Sequence, residues 1–304
     1  MRHRKRLTAC WRSKPMIKLK DSTTGGLLAS TYLGYSLIFW LYPFIWLFIL
    51  SFTDWKFIGV PSFNGVKNIL AVMQNPLFWT SIYNVFKFLL YYLPIVLISS
   101  LLFAFGLQRI KYGKAFVALS FLLANVSSGV AYSIVFSKLF SETGPVNTFL
   151  MQWFGISVPW FTHPDVAMLS VALIITWKFV GYYGLIFYSG LITIPKDIYD
   201  AAELDRTSRA GKIWHVTLPM MNAQIVMVLV LALTVAFAIF TEPYLITGGG
   251  PLESTTTPMV VMYEAAFRQM QPSWAATMSI IVALFSFSLI WIVRRCLEKK
   301  IEVV

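Results

Sequence analysis

Six long apolar runs alternate with short polar connections along this chain, at roughly 27–52, 80–105, 115–137, 166–189, 223–247 and 274–293. Each reaches the ~20 residues that an α-helix needs to cross a hydrocarbon core. The pattern predicts an all-α integral membrane protein with six transmembrane helices. Pro43, Pro94 and Pro243 fall inside spans, where neighbouring helices or polar groups must satisfy the carbonyls that proline leaves free. No internal repeat and no low-complexity tract appears, and the connecting loops are too short for a further domain. The reading is one membrane domain over 27–295, between a tail at 1–26 and a short tail at 296–304.

The longest polar interruption, 196–219, has its own helical periodicity. Ile198, Ala201, Ala202 and Asp205 fall at i, i+3, i+4 and i+7, and Ala210, Ile213, Trp214 and Thr217 repeat the spacing. Pro195 stops the preceding span. Asp197 is placed to cap the first short helix, Thr207 or Ser208 the second, and Pro219 closes it. Two amphipathic helices between two spans make a handle for a partner to grip.

Charge fixes the orientation this pattern predicts. A net charge of +12 would fit nucleic acid, but its distribution does not. Arg2, Arg4, Lys5, Arg6, Arg12, Lys14, Lys18 and Lys20 crowd the N-terminus. Further basic residues sit at 109–114, at 196–212 and at 294–300, giving 19 on one set of loops. The opposite loops hold 4: Lys56, Lys67, Lys138 and Arg268. By the positive-inside rule both termini and residues 196–219 are cytoplasmic, and the basic tail is suited to anionic lipid. The first apolar run is too long for a cleavable signal core. Cys10 and Cys296 both fall on the reducing side, so no structural disulfide is expected.

No catalytic arrangement is visible. Gly106 and Gly113-Lys114 lack phosphate-loop spacing, and Ala115 stands where Ser or Thr must hold magnesium. His3, His163 and His215 are scattered over separate segments, which argues against a metal site.

The polar stretch resembles the EAA loop of the membrane subunits of ABC importers. The match is carried by Asp200-Ala201-Ala202, then Asp205, then Leu218-Pro219. Asp200 replaces the family's Glu, and Arg206-Thr207 replaces Gly-Ala. The likeness extends over 27–295, to the carbohydrate-type group that includes maltose and glycerol-phosphate permeases. It is carried by Trp177-Lys178, Gly181-Tyr182, Gly190-Leu191, Ile194-Pro195, Phe240-Thr241-Glu242-Pro243-Tyr244 and Thr247-Gly248-Gly249-Gly250-Pro251. Ser51 to Trp55, Gly144 to Asn147 and Tyr263 to Phe267 also fit.

The resemblance implies a type I importer permease fold in a bacterial or archaeal cytoplasmic membrane. It implies a second permease subunit, a dimer of ATP-binding subunits gripping Asp200, Ala201, Ala202, Asp205, Arg206, Leu218 and Pro219, and an extracytoplasmic solute-binding protein. This chain would be a transport subunit rather than an enzyme. It would bind no cofactor, with ATP and Mg held by the partner.

Polar and aromatic groups within spans are the candidates for a sugar path, since a sugar needs hydrogen bonds and flat apolar surfaces. They are Asn125, Trp177, Tyr182, Tyr183, Phe237, Phe240 and Glu242, with Ser127, Ser128, Tyr132 and Thr234 behind them. Lys178, near the middle of its span, must face protein or water, lining the path or pairing with a neighbouring subunit. Lys87 and Glu242 lie at similar depth and are expected to pair. Two alternatives stay open: an importer of a phosphorylated polyol such as glycerol 3-phosphate, and, from another class, a membrane-embedded enzyme or sensor.

Overall fold

In the computed structural model the described residues are 21–298. The expectations for Arg2 to Lys20, His3, Cys10 and residues 299–304 lie outside them. The chain divides at Ile49 and Leu50 into two units.

The N-terminal unit begins with α1 (Asp21–Ser36), continues through a π-turn at Leu37–Leu41 and enters α2 (Tyr42–Ser51). Pro43 cannot donate the backbone bond that an α-turn would require of it. The helix widens just before it, with Tyr42 N–H donating to the carbonyl of Leu37, so the span carries through its proline. Trp40, Tyr42 and Phe44 on this helix are exposed, as on a helix that is apolar all round.

The second unit opens with a two-stranded antiparallel hairpin, β1 (Thr53–Asp54) against β2 (Ser62–Phe63), with Thr53 opposite Phe63. A short helix α3 (Lys67–Gln74) leads into α4 (Pro76–Arg109). Next come α5 (Lys114–Val126), α6 (Gly129–Leu139), α7 (Pro145–Phe154) and α8 (Pro164–Thr193). The polar stretch forms α9 (Lys196–Leu204), α10 (Arg209–Lys212), a π-turn at Ile213–Thr217 and α11 (Leu218–Met220). The chain ends in α12 (Asn222–Ala238), a π-turn at Pro243–Thr247, α13 (Pro258–Tyr263), a π-turn at Glu264–Arg268 and α14 (Pro272–Leu297).

The core lies where α4 crosses α8. Val85, Phe88, Tyr92 and Val96 make one stripe of α4; Met168, Val171, Ala172 and Ile175 make one of α8. Helices in lipid gain nothing from hiding apolar surface from one another, so close packing over small residues must hold them. Two glycines of α8 supply it. A Cβ on Gly181 would sit 2.7 Å from the backbone of Phe121 on α5, and one on Gly184 would strike the ring of Phe103 on α4.

Two expected spans are not continuous helices. The third, read as 115–137, is α5 and α6 bent by 97° at Ser127-Ser128. Both serines take extended or non-helical backbone, Ser127 Oγ donates to the Ala124 carbonyl at 2.7 Å, and Gly129 opens α6 against the side chain of Thr241. The fifth span breaks after Ala238, because Pro243 cannot donate to the carbonyl of Ile239. Thr257 Oγ1 donates to that carbonyl instead, at 2.9 Å.

The turn that follows is tied down. Thr256 Oγ1 donates to the Gly249 carbonyl (2.9 Å) and Thr255 Oγ1 to that of Gly250 (2.8 Å). Asn84 of α4 donates to the carbonyls of Glu253 and Thr256 at 2.7 and 2.9 Å.

Candidate functional site

The polar stretch folds as a braced helical hairpin. Lys196 starts α9 directly after Pro195, so Asp197 lies within the first turn rather than at the cap, where its charge still favours the helix N-terminus. The helix ends in a Schellman turn. Thr207 N–H donates to the Ala202 carbonyl and Arg206 N–H to that of Glu203, each at 3.0 Å. This geometry needs a left-handed residue, and Arg206 supplies it at φ 53°. The bend therefore keeps the shape glycine would give it, at a cost of about 1 kcal/mol for the side chain. Ser208 caps the second leg, accepting from Gly211 N–H at 3.1 Å. Pro219 opens α11 rather than closing the hairpin.

Two contacts clamp the legs together, and a third braces the second leg. Tyr199 OH meets Thr217 Oγ1 at 3.0 Å, Thr217 Oγ1 reaches the Lys212 carbonyl at 3.2 Å, and Lys212 Nζ pairs with Glu203 Oε2 at 2.9 Å. The Lys212 ammonium holds the Glu203 carboxyl below its ordinary range. That contribution is complete above the ordinary carboxylate pKa and lost as pH falls through the lowered value. Ala202 is buried, while Asp200, Ala201, Asp205 and Arg206 are exposed. Leu218 is half-buried and Pro219 exposed. Leu204 (85% exposed) and Trp214 (69%) stand apolar in the open.

Within the spans, both chain breaks converge on one ion pair, with Glu242 buried and Lys178 half-buried. Lys178 Nζ of α8 lies 3.8 Å from Glu242 Oε1, which sits between the break in the fifth span and Pro243. The ammonium is 3.4 Å from Tyr132 OH on α6 and lies over the Tyr132 ring, 4.7 Å from its centre. Lys87 instead donates to the Pro164 carbonyl at 3.4 Å. The expected Lys87–Glu242 pair is therefore replaced by Lys178–Glu242, because the break turns Glu242 towards α8. Trp177, half exposed, packs on Phe136 at 5.0 Å and nears Tyr132 at 6.4 Å.

Of the other candidates, Tyr183 and Phe237 are buried in the core, with Tyr183 stacked on Phe179 at 5.3 Å. Tyr182, Phe240 and Asn125 are half-buried, Asn125 in the last turn of α5. Among the described residues no three His, Cys, Asp or Glu side chains gather closely enough to hold a metal ion.

The family described as the inner membrane component of binding-protein-dependent transport systems matches residues 68–302. This chain belongs to that family. Among its relatives, the lactose transport system permease protein LacF of Rhizobium radiobacter is 30% identical over 279 residues, covering 90% of this chain and 93% of the relative. The arabinooligosaccharides transport system permease protein AraP of Bacillus subtilis (strain 168) is 27% identical over 254 residues, covering 82% and 80%. A solved bacterial ABC transporter involved in the import of the acidic polysaccharide alginate superposes with a TM-score of 0.76 over 91% of this chain and 95% of its own, at 20% identity. That superposition establishes the permease fold. The resemblance seen in the residues is thus borne out.

Spacing alone did not reveal the Tyr132–Lys178–Glu242 cluster. The signal was present, since a charge inside a span needs a partner. Depth could not say which lysine faces Glu242, because the 97° bend that brings Tyr132 across was invisible.

Proposed function

We propose that this chain is one of the permease subunits of an ATP-driven importer, carrying a saccharide delivered by an extracytoplasmic solute-binding protein. The braced hairpin at 196–219 is the observation that carries the reading. It stands out from the spans with apolar and charged groups exposed, in the family whose members work with separate binding proteins. ATP and Mg belong to a pair of ATP-binding subunits that grip the hairpin through Asp200, Ala201, Asp205, Arg206, Leu218 and Pro219, with Ala202 holding its fold. A second permease completes the pathway. The complex sits in a bacterial or archaeal cytoplasmic membrane with both termini and the hairpin inside, supported by the 19 to 4 division of basic residues. Cysteine introduced at Ile58, 87% exposed, is expected to react with an impermeant thiol reagent on intact cells, whereas native Cys296 is not. Labelling of Cys296 alone would reverse the orientation.

A saccharide cargo agrees with the lactose and arabinooligosaccharide relatives and with the aromatic surfaces around Trp177 and Phe240. The rival, a phosphorylated polyol, requires net positive charge along the path. Here the charge of Lys178 is cancelled by Glu242, which favours a neutral cargo. Glu242→Gln leaves the half-buried lysine without its counter-charge. Uptake of neutral saccharides is expected to fall, and Lys178→Met in the same chain to restore part of it. Wild-type uptake of sugar phosphates but not of neutral sugars would replace this reading by its rival.

A further inference from the structure

We propose that a line of aromatic rings, running from an outer cavity to the break in the fifth span, is an entry track for a saccharide. The proposal rests on the cargo reading above. Its outer station is a cavity of about 460 Å³ between β1, α3 and the start of α14, within the range of small-molecule sites. Two indoles, Trp55 and Trp274, line it together with Asp54, Lys56, Asn75 and Gln271. Trp55 is held rigidly: its indole N–H donates to the Gly59 carbonyl at 3.1 Å and its backbone N–H to Ser273 Oγ at 3.0 Å. Flat rings beside amides and charged groups are what a sugar recognises, stacking its C–H face and hydrogen-bonding its hydroxyls.

From Trp55 the rings continue without a gap. Phe57 is 5.4 Å away, Phe267 is 6.4 Å from Phe57, and Tyr263 is 5.3 Å from Phe267. Tyr244 and Phe240 then lie 5.0 and 5.1 Å from Tyr263. Phe240 stands in the chain break, two residues before Glu242. Phe240/Tyr244 and Tyr263/Phe267 are each four residues apart on helical turns, a spacing that sets both pairs of rings on one side.

None of these rings belongs to the core. Phe267 is 64% exposed, Phe57 39%, and the rest are half-buried. Phe57 holds a left-handed backbone, φ 64°, a conformation that persists only where its surroundings impose it.

Arg268 donates to Tyr244 OH at 3.1 Å and faces Glu264 at 3.9 Å.

The test uses the assembled importer in lipid nanodiscs, with saturation-transfer NMR to lactose, raffinose and maltotriose. A signal is expected from at least one sugar, weakened roughly 2- to 10-fold by Tyr263→Leu or Phe267→Leu, the range of a single ring interaction. Tyr263→Phe keeps the ring and should keep the signal. So should Phe287→Leu, an exposed ring away from the track. No signal from any of the three, or one equal in the leucine variants, overturns the track. Uptake by cells separates this outcome from the cargo reading. Import of one of these sugars with a ring-independent signal sinks the track alone; a ring-dependent signal with no import sinks the cargo reading alone.

Discussion

Arg206 shows what a single residue can hide in a sequence. The letters at this bend depart from the family's glycine, yet the backbone does not, because the Schellman bonds from Thr207 and Arg206 fix a left-handed turn whichever side chain sits there. Arg206→Gly should relieve that strain and stabilise the hairpin by about 1 kcal/mol, read as a higher melting temperature of the purified chain. A lower melting temperature would mean that the arginine side chain makes an interaction worth more than its strain. Tyr183 is the opposite case. Its polar handle inside a span reads as a path residue, but its ring is consumed by core packing on Phe179. Polarity at mid-span marks a residue that needs explaining; only packing says which explanation holds.

At the scale of elements, the apolar runs named the spans to within a few residues: 80–105 became Pro76–Arg109 and 166–189 became Pro164–Thr193. Hydrophobicity reports length and lipid contact, which is why these were legible. Breaks were less so. Pro243 read like Pro43 and Pro94, as a proline carried inside a span, and nothing in the apolar run at 115–137 announced the bend at Ser127-Ser128, since serine is tolerated inside membrane helices. The bond that makes the fifth-span break tenable comes from Thr257, far along the chain, and no local pattern points to it. Thr257→Val keeps the shape but leaves the Ile239 carbonyl unpaired, with both residues buried. The expected loss is about 1–3 kcal/mol, seen as earlier thermal unfolding of the solubilised complex. Unchanged unfolding would show that another donor reaches this carbonyl.

For the whole molecule, the division of labour is what matters. The spans provide a scaffold held by close approach at Gly181 and Gly184, the two breaks bring Tyr132, Lys178 and Glu242 together, and the hairpin presents Leu204 and Trp214 outward. Residues 196–204 continue almost directly from α8, which carries Lys178, so force applied at the hairpin has a short route to the ion pair. The central claim is that this hairpin is where ATP hydrolysis on another subunit is coupled to transport. The most direct test is ATP hydrolysis by the complex reconstituted with its binding protein, comparing wild type with Leu204→Asp. Leu204 is exposed, so the variant should fold and reach the membrane. The account predicts that hydrolysis stimulated by the loaded binding protein is lost, together with uptake. Stimulation at the wild-type level in Leu204→Asp, with transport intact, would contradict it.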